Sequence, residues 1–224
     1  MPKRGSPSRV AQIRLFAAAL AAIALLVASF ALSRVMKLNL TASMPIGLYA
    51  LHPAAAIYRG AIVIACPPMA AQRIGVANGY LAPARGSLPQ SNCAAGSAPL
   101  LKYAIALAGD EIEINAHGLS LNGRLLDSQT LARVDQSGRA LAAMRSGRYR
   151  LHKDEVWLYS PARYSWDSRY FGPAKLRDVL GTATPIWTIP SQASLQFAPP
   201  LDRSHSFGPT RLSDVGKAAL VRRQ

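Results

Sequence analysis

The sequence has few acidic residues, and none of them precedes Asp110. Its 224 residues include 11 Asp and Glu against 26 Lys and Arg, which gives a formal net charge of +15. The first half of the chain therefore supplies no carboxylate that could bind a metal, attack a substrate or act as a general base. Any catalytic group located there must be a hydroxyl, an amine or an imidazole.

Histidine and cysteine are also scarce. None of the four histidines falls in a metal-binding spacing such as His-Glu-x-x-His, and the two cysteines are too far apart for a zinc ribbon or a Cys-x-x-Cys redox pair. We therefore expect no metal site and no Ser-His site. In an oxidising compartment the cysteines can form one disulfide, and the alternative is two separate buried thiols. These residues are His52, His117, His152, His205, Cys66 and Cys93.

The excess of positive charge by itself is typical of a nucleic-acid-binding protein. Here the basic residues crowd at the two ends of the chain and are otherwise scattered singly, with no interleaved aromatic side chains. This distribution argues against nucleic acid as the partner.

One long stretch, residues 15–33, has no charge and is flanked by Arg14 and Arg34. As a helix it would span about 28 Å, close to the thickness of a bilayer core, so it predicts a transmembrane anchor. A buried core helix and a signal peptide cleaved after 31–33 are the alternatives. Four basic residues before the stretch predict a cytoplasmic N-terminus, with the remainder in the periplasm of a Gram-negative cell.

The remaining pattern predicts an all-β domain on this single helix. We divide the chain into a basic N-terminus (1–14), the anchor (15–33), a periplasmic domain (34–189) and a basic, flexible tail (190–224) with a short helix near 212–220. Residues 69–98 are rich in Ala, Gly, Pro and Ser and predict a long loop with at most one helical turn. The predicted strands cover residues 47–51, 61–66, 100–108, 111–115, 119–121, 156–159 and 183–189.

Two of these regions carry candidate catalytic groups. Ser43 is followed by Met-Pro-Ile-Gly, a rigid turn that presents one hydroxyl, although a serine in such a place is more often a simple turn residue. Lys102 is the one lysine centred in an apolar strand, where it shares a face with Leu100 and Ala104. Burial lowers the pKa of a lysine, and a neutral lysine can take a proton from a serine; the alternative is an edge lysine that reaches water.

A third stretch, Asp-Ser-Arg-Tyr-Phe-Gly-Pro at 167–173, completes a set. With Ser-Met-Pro-Ile-Gly-Leu-Tyr at 43–49 and a lysine segment that ends in Gly-Asp at 109–110, the chain resembles the type I signal peptidase family. It is most similar to the conjugative-transfer branch, the TraF-type pilin-processing peptidases, which share Cys-Pro-Pro at 66–68 and a second cysteine before the lysine. The resemblance covers about residues 39–189 and the anchor.

The resemblance implies a role for each matching residue. Ser43 is the nucleophile, its backbone N–H forms part of the oxyanion hole, and Lys102 is the general base. Thr41 offers a hydroxyl that completes the oxyanion hole, and Ser165 hydrogen-bonds the lysine amine. Asp167 forms a supporting ion pair with the arginine two residues later, and it can matter more directly in the transfer branch. This chain departs from the family pattern after the lysine, where Tyr-Ala-Ile-Ala-Leu-Ala replaces the usual Arg and Pro.

The resemblance also implies a function. It predicts a serine endopeptidase of the inner membrane that needs no cofactor and processes exported protein precursors, in particular a conjugative pro-pilin, by hydrolysis or by cyclisation. A general leader peptidase is the alternative within the same chemistry. A catalytically inactive, membrane-anchored assembly factor of a transfer apparatus is the alternative from another class.

Overall fold

The computed structural model describes residues 9–53, 57–84, 92–189, 197 and 202–207, with backbone alone at 11, 28–34 and 202–207. The chain divides after Lys37 into two units, residues 1–37 and residues 38–224. The helix predicted near 212–220 lies outside the described residues.

The first unit is one helix, α1, over Arg9–Val35, which contains the whole charge-free stretch. Across the described ranges, no helix combines the length and the apolar character needed to cross a membrane. The transmembrane anchor predicted over residues 15–33 therefore finds no support in the structure.

The second unit is mostly β-sheet. Besides strands, its described residues form the α-helices α2 (Met69–Ala77) and α3 (Ser168–Phe171) and a 3-10 turn at Leu176–Asp178. Strand β1, Met36–Asn39, begins at the end of the first unit. The later strands are β2 (Ile46–Pro53), β3 (Ile57–Arg59), β4 (Ala61–Ala65), β5 (Leu100–Ala106), β6 (Glu111–Asn115), β7 (Gly118–Leu121), β8 (Arg124–Asp127), β9 (Gly147–Arg150), β10 (Glu155–Tyr159), β11 (Ala174–Lys175), β12 (Val179–Ile189) and β13 (Asp202–Phe207).

The larger sheet has seven strands in the order β1-β2-β12-β4-β5-β10-β11, and β5 lies between β4 and β10. Six of the seven residues of β5 are buried, because apolar side chains cover both faces of the sheet there. On one face, Val63, Ala104 and Leu158 pack together. A polar side chain on β5 is therefore shielded from water by the neighbouring strands and the apolar side chains around it.

The smaller sheet, β8-β7-β6-β9, is antiparallel and is built on the predicted hairpin. Strands β6, β7 and β8 pair in succession, and β9 returns to pair with β6, which is the Greek-key order. The apolar face of this sheet, with Ile112 and Leu119, packs against Ile105 and Trp157 of the larger sheet. The two sheets therefore share one core, as the alternating apolar residues of β6 require.

All seven predicted strands are confirmed, with differences of at most four residues at their ends. The prediction for residues 69–98 is wrong in part. Residues 69–77 form the nine-residue helix α2 instead of at most one turn. Pro68 stands directly before the helix, where its fixed φ is favourable, and Ala71, Gln72 and Gly75 face inward. The small residues that suggested a loop are needed because Gly75 packs directly on Leu81.

A disulfide and a strand pairing connect residues that are far apart in the chain. Cys66 and Cys93 form a disulfide with an S–S distance of 2.03 Å, which confirms that prediction and closes the segment that contains α2. Strand β13, which the sequence did not predict, pairs with β3 from within the region assigned to the tail. Such a pairing depends on residues far apart in the chain, and local patterning gives no signal for it.

Candidate active site

Ser43 lies in the turn between β1 and β2, and side chains hold the backbone of this turn. The amide of Asn39, which is buried, donates to the carbonyl oxygens of Thr41, Met44 and Pro45 at 2.9–3.2 Å. The Tyr49 hydroxyl donates to the Pro45 oxygen at 2.7 Å. The turn is therefore fixed although it has no regular secondary structure, and Ser43 is half-buried at its surface.

Lys102 lies in the middle of β5 and points at this turn. Its Nζ donates to Ser43 Oγ at 2.8 Å, and only 2% of the residue is exposed. Burial lowers the pKa of Lys102 from 10.5 to about 8; the charge of Asp167 opposes this shift and that of Arg169 adds to it. At pH 7 about a tenth of this amine is uncharged, and an uncharged amine next to a hydroxyl can act as its base.

Thr41, predicted to complete an oxyanion hole, lies beside the serine, with its hydroxyl oxygen 3.4 Å from Ser43 Oγ. The same hydroxyl donates to Asn39 Oδ1 at 2.8 Å. Its proton is therefore directed to Asn39, and the hydroxyl must rotate before it can donate to a substrate.

Ser165 does not make the predicted bond to the lysine amine. It is buried, but among the described residues its hydroxyl has no hydrogen-bond partner. Ser165 closes a short turn in which its N–H donates to the Ala162 carbonyl at 3.1 Å. The two-residue spacing to Asp167 predicted the position of Ser165 in the motif. It could not predict the direction of the side chain, which depends on this turn.

Asp167 and Arg169 form a buried ion pair. Asp167 is completely buried and Arg169 is 2% exposed, and the guanidinium binds both carboxylate oxygens at 2.8–2.9 Å. Burial by itself would lower the pKa of Arg169, but the charge and hydrogen bonds of Asp167 outweigh it and raise this pKa. The carboxylate also caps α3 by accepting from the Arg169 backbone N–H.

The surroundings of Arg169 include residues that sequence reasoning missed. Its Nη2 also donates to the carbonyls of Ser160 and Ala162, its guanidinium lies 4.8 Å from the centre of the Tyr159 ring, and the Tyr159 hydroxyl donates to Asp127. Ser160 in turn donates its hydroxyl to the carbonyl oxygen of Ser43. The sequence signal for Tyr159, Ser160 and Ala162 is their place at or just after the end of the apolar strand over 156–159, and Asp127 has no such signal.

The structure places an accessible hydroxyl next to a buried amine. The charges of the Asp167–Arg169 ion pair act on the pKa of that amine. Ser43 and Lys102 are 59 positions apart in the chain, and the fold brings them within hydrogen-bonding distance. Such a pair can carry out acyl transfer through the serine without a carboxylate or a histidine in contact with it.

Comparison with known proteins gives a consistent result. Residues 9–188 match the model of the family described as signal peptidase, peptidase S26. Plasmid transfer protein TraF of Escherichia coli is 36% identical over 166 residues, which are 74% of this chain and 90% of the relative. A probable conjugal transfer protein TraF of Sinorhizobium fredii is 36% identical over 157 residues, 68% of this chain and 77% of the relative. The chain belongs to the signal peptidase family, peptidase S26.

Proposed function

We propose that this protein is a serine endopeptidase that uses Ser43 and Lys102 to process exported precursor proteins, with a conjugative pro-pilin as its substrate. The observation that carries the proposal is the 2.8 Å hydrogen bond between Lys102 Nζ and Ser43 Oγ, made by a lysine whose burial lowers its pKa to about 8. The family and the conjugal transfer relatives support the class of reaction and its setting.

The reaction is acyl transfer. The neutral Lys102 amine takes the proton of the Ser43 hydroxyl while Oγ attacks the scissile carbonyl carbon. The C–N bond then breaks, Lys102 returns the proton to the leaving amine, and an ester joins the substrate to Ser43. In the second half, Lys102 takes a proton from water, or from the substrate's own amino terminus, while that group attacks the ester carbonyl carbon. The ester C–O bond then breaks, and Lys102 returns the proton to Ser43 Oγ. Water gives a linear product and the amino terminus gives a cyclic one.

The proposal places the reaction at the inner membrane. Residues 15–33 would anchor the chain with residues 1–14 in the cytoplasm, residues 34–189 in the periplasm and residues 190–224 as a basic tail. The charge-free stretch and the basic residues before it support this topology. Ser43 follows the stretch closely, which suits cleavage of a precursor just outside its own membrane segment.

The decisive test is cleavage of a candidate conjugative pro-pilin, with product masses read by mass spectrometry. We expect cleavage by the wild type and a loss of at least about 10³-fold in kcat in Ser43→Ala and in Lys102→Ala. Lys153→Ala, which removes an exposed lysine, is the matched control and should cleave like the wild type. A product lighter than the linear form by one water would identify cyclisation.

Each other result points to a different function. Undiminished cleavage by either dyad variant would overturn the Ser-Lys mechanism. If the wild type cuts a general leader-peptide substrate with small residues before the cut, and leaves the pro-pilin intact, the protein is a general leader peptidase. If it cuts neither substrate, the proposed activity is wrong and an inactive assembly factor remains.

A further inference from the structure

Ser160 is a buried serine directly after β10, and its hydroxyl makes two hydrogen bonds. It donates to the carbonyl oxygen of Ser43 and accepts from the Ala162 backbone N–H, which lies 3.2 Å away. A hydroxyl has one proton to give, so the proton of Ser160 is committed to the nucleophile's own backbone.

The backbone of Ser160 is held on both sides by the buried ion pair. Its N–H donates to Asp167 Oδ2 at 3.2 Å, and its carbonyl accepts from Arg169 Nη2 at 2.9 Å. Both ion-pair residues are almost completely buried, so few alternative positions are available to Ser160.

Strand register places Ser160 next to the general base. Tyr159 on β10 pairs with Tyr103 on β5, in an antiparallel arrangement. The residue after Tyr159 therefore lies alongside the residue before Tyr103, which is Lys102. A group bonded to Ser160 is consequently held at a set distance from the lysine.

The bond to Ser43 differs in origin from the other bonds that hold the nucleophile's turn. The carbonyls of Thr41, Met44 and Pro45 are bound by side chains from the same stretch, residues 39–49. The Ser43 carbonyl is bound by a residue 117 positions away. Bonds within the stretch fix the shape of the turn, whereas the bond from Ser160 fixes where the turn lies on the sheet.

We propose that Ser160 is a positioning residue that keeps Ser43 Oγ within reach of the Lys102 amine. The inference rests on the proposed function for its catalytic meaning, but the placement of one side chain by another can be measured without catalysis. Loss of the hydroxyl would release the Ser43 carbonyl and lengthen the contact between Oγ and Nζ, and a shift of about 1 Å can cost on the order of 10²-fold in rate.

A thiol at the nucleophile position gives an activity-independent reporter. Both native cysteines are joined in the disulfide, so Ser43→Cys introduces a single free thiol. A nearby ammonium lowers the pKa of a thiol, and the pH dependence of alkylation by iodoacetamide measures that pKa. Lys102→Ala in this background should raise the thiol pKa and define the value without the lysine.

Adding Ser160→Ala to Ser43→Cys should raise the thiol pKa towards that same value and slow alkylation at pH 7 by about tenfold, the effect of one pKa unit. Ser97→Ala, which removes another fully buried serine hydroxyl, is the matched control and should leave the thiol pKa unchanged. An unchanged thiol pKa with Ser160→Ala would overturn the inference. If Lys102→Ala also has no effect, thiol and amine are not in contact, and both proposals fall.

The kinetic measurement uses the native nucleophile and the pro-pilin. Ser160→Ala should lower kcat by on the order of 10²-fold with little change in KM, because substrate binding does not need the hydroxyl. Ser160→Thr keeps the hydroxyl and should restore most of kcat; a loss equal to that in Ser160→Ala would count against the hydrogen bond. If the thiol responds as expected while the wild type cleaves no precursor, the positioning role stands and the proposed peptidase function is wrong.

Discussion

The two segments that act on Lys102 are held in opposite ways. The turn that carries Ser43 lies at the surface, with Thr41 exposed, and is fixed by hydrogen bonds from a few side chains. The segment that carries Asp167 and Arg169 is closed to water, and its charges neutralise each other. A nucleophile must be reachable by a substrate, whereas a lysine that works as a base must be kept from water. In the proposed mechanism, the exposed turn gives the substrate access to Ser43, and the buried segment helps to keep water from Lys102.

The largest expected effect comes from breaking the closed segment. Arg169→Ala would leave the Asp167 carboxylate buried without its partner, which typically costs about 3–5 kcal/mol of unfolding free energy. Denaturant unfolding of the variant and of the wild type measures the difference. Lys175→Ala, which removes the ion pairs of a solvent-accessible lysine with Asp154 and Glu155, is the control and should cost much less. Equal losses in the two variants would show that burial of the Asp167–Arg169 pair does not raise the cost of breaking it.

The pH dependence of cleavage tests whether the closed segment keeps Lys102 in its working state. In the proposed mechanism the neutral amine is the active form, and burial lowers its pKa to about 8, so activity should be lost as pH falls through this value. Below pH 8 we expect kcat/KM to fall by about tenfold per pH unit, and above it to level off. The measurement is a pH–rate profile of the wild type between pH 6 and 10. A profile that keeps rising to pH 10 would mean that the lysine has an ordinary pKa.

The smallest expected effect concerns the exposed turn that carries Ser43. Tyr49→Phe removes the hydroxyl that binds the Pro45 carbonyl and should cost about 1 kcal/mol of unfolding free energy, together with a several-fold loss of kcat. Tyr164→Phe, at an exposed tyrosine, should change stability by less than about 0.5 kcal/mol and leave kcat unaltered. Thermal unfolding and precursor cleavage measure both properties. Identical behaviour of the two variants would show that this bond does not fix the turn.

Local patterning predicted a large part of the fold. The apolar runs at 61–65 and 100–106 and the alternating residues at 111–115 form strands as expected, because these patterns report burial on one or both faces of a sheet. Helix α2 was missed because its Ala and Gly content also suits a loop. Strand β13 was missed because its partner β3 lies far away in the chain.

The candidate site was predicted unevenly. Ser43 and Lys102 were candidates from their residue types and settings, the family resemblance paired them, and the structure brings them together. Among the described residues, Ser165 does not make the hydrogen bond to the lysine amine that was expected of it. Ser160, which binds the Ser43 carbonyl, was not predicted. Side-chain directions depend on turn geometry and on strand register, and neither can be read from the spacing of a motif.

The sequence by itself determined which residues could do the chemistry: with no acid before Asp110, a serine with an amine base was one of few options in the first half of the chain. It also determined the strands that have strong apolar patterns, because such patterns are local. Only the tertiary structure decided that Lys102 reaches Ser43, that its amine is shielded from water, and that Asp167 and Arg169 lie buried as a pair. Desolvation and hydrogen bonding between distant segments arise from packing, and packing joins residues that the order of the chain keeps apart.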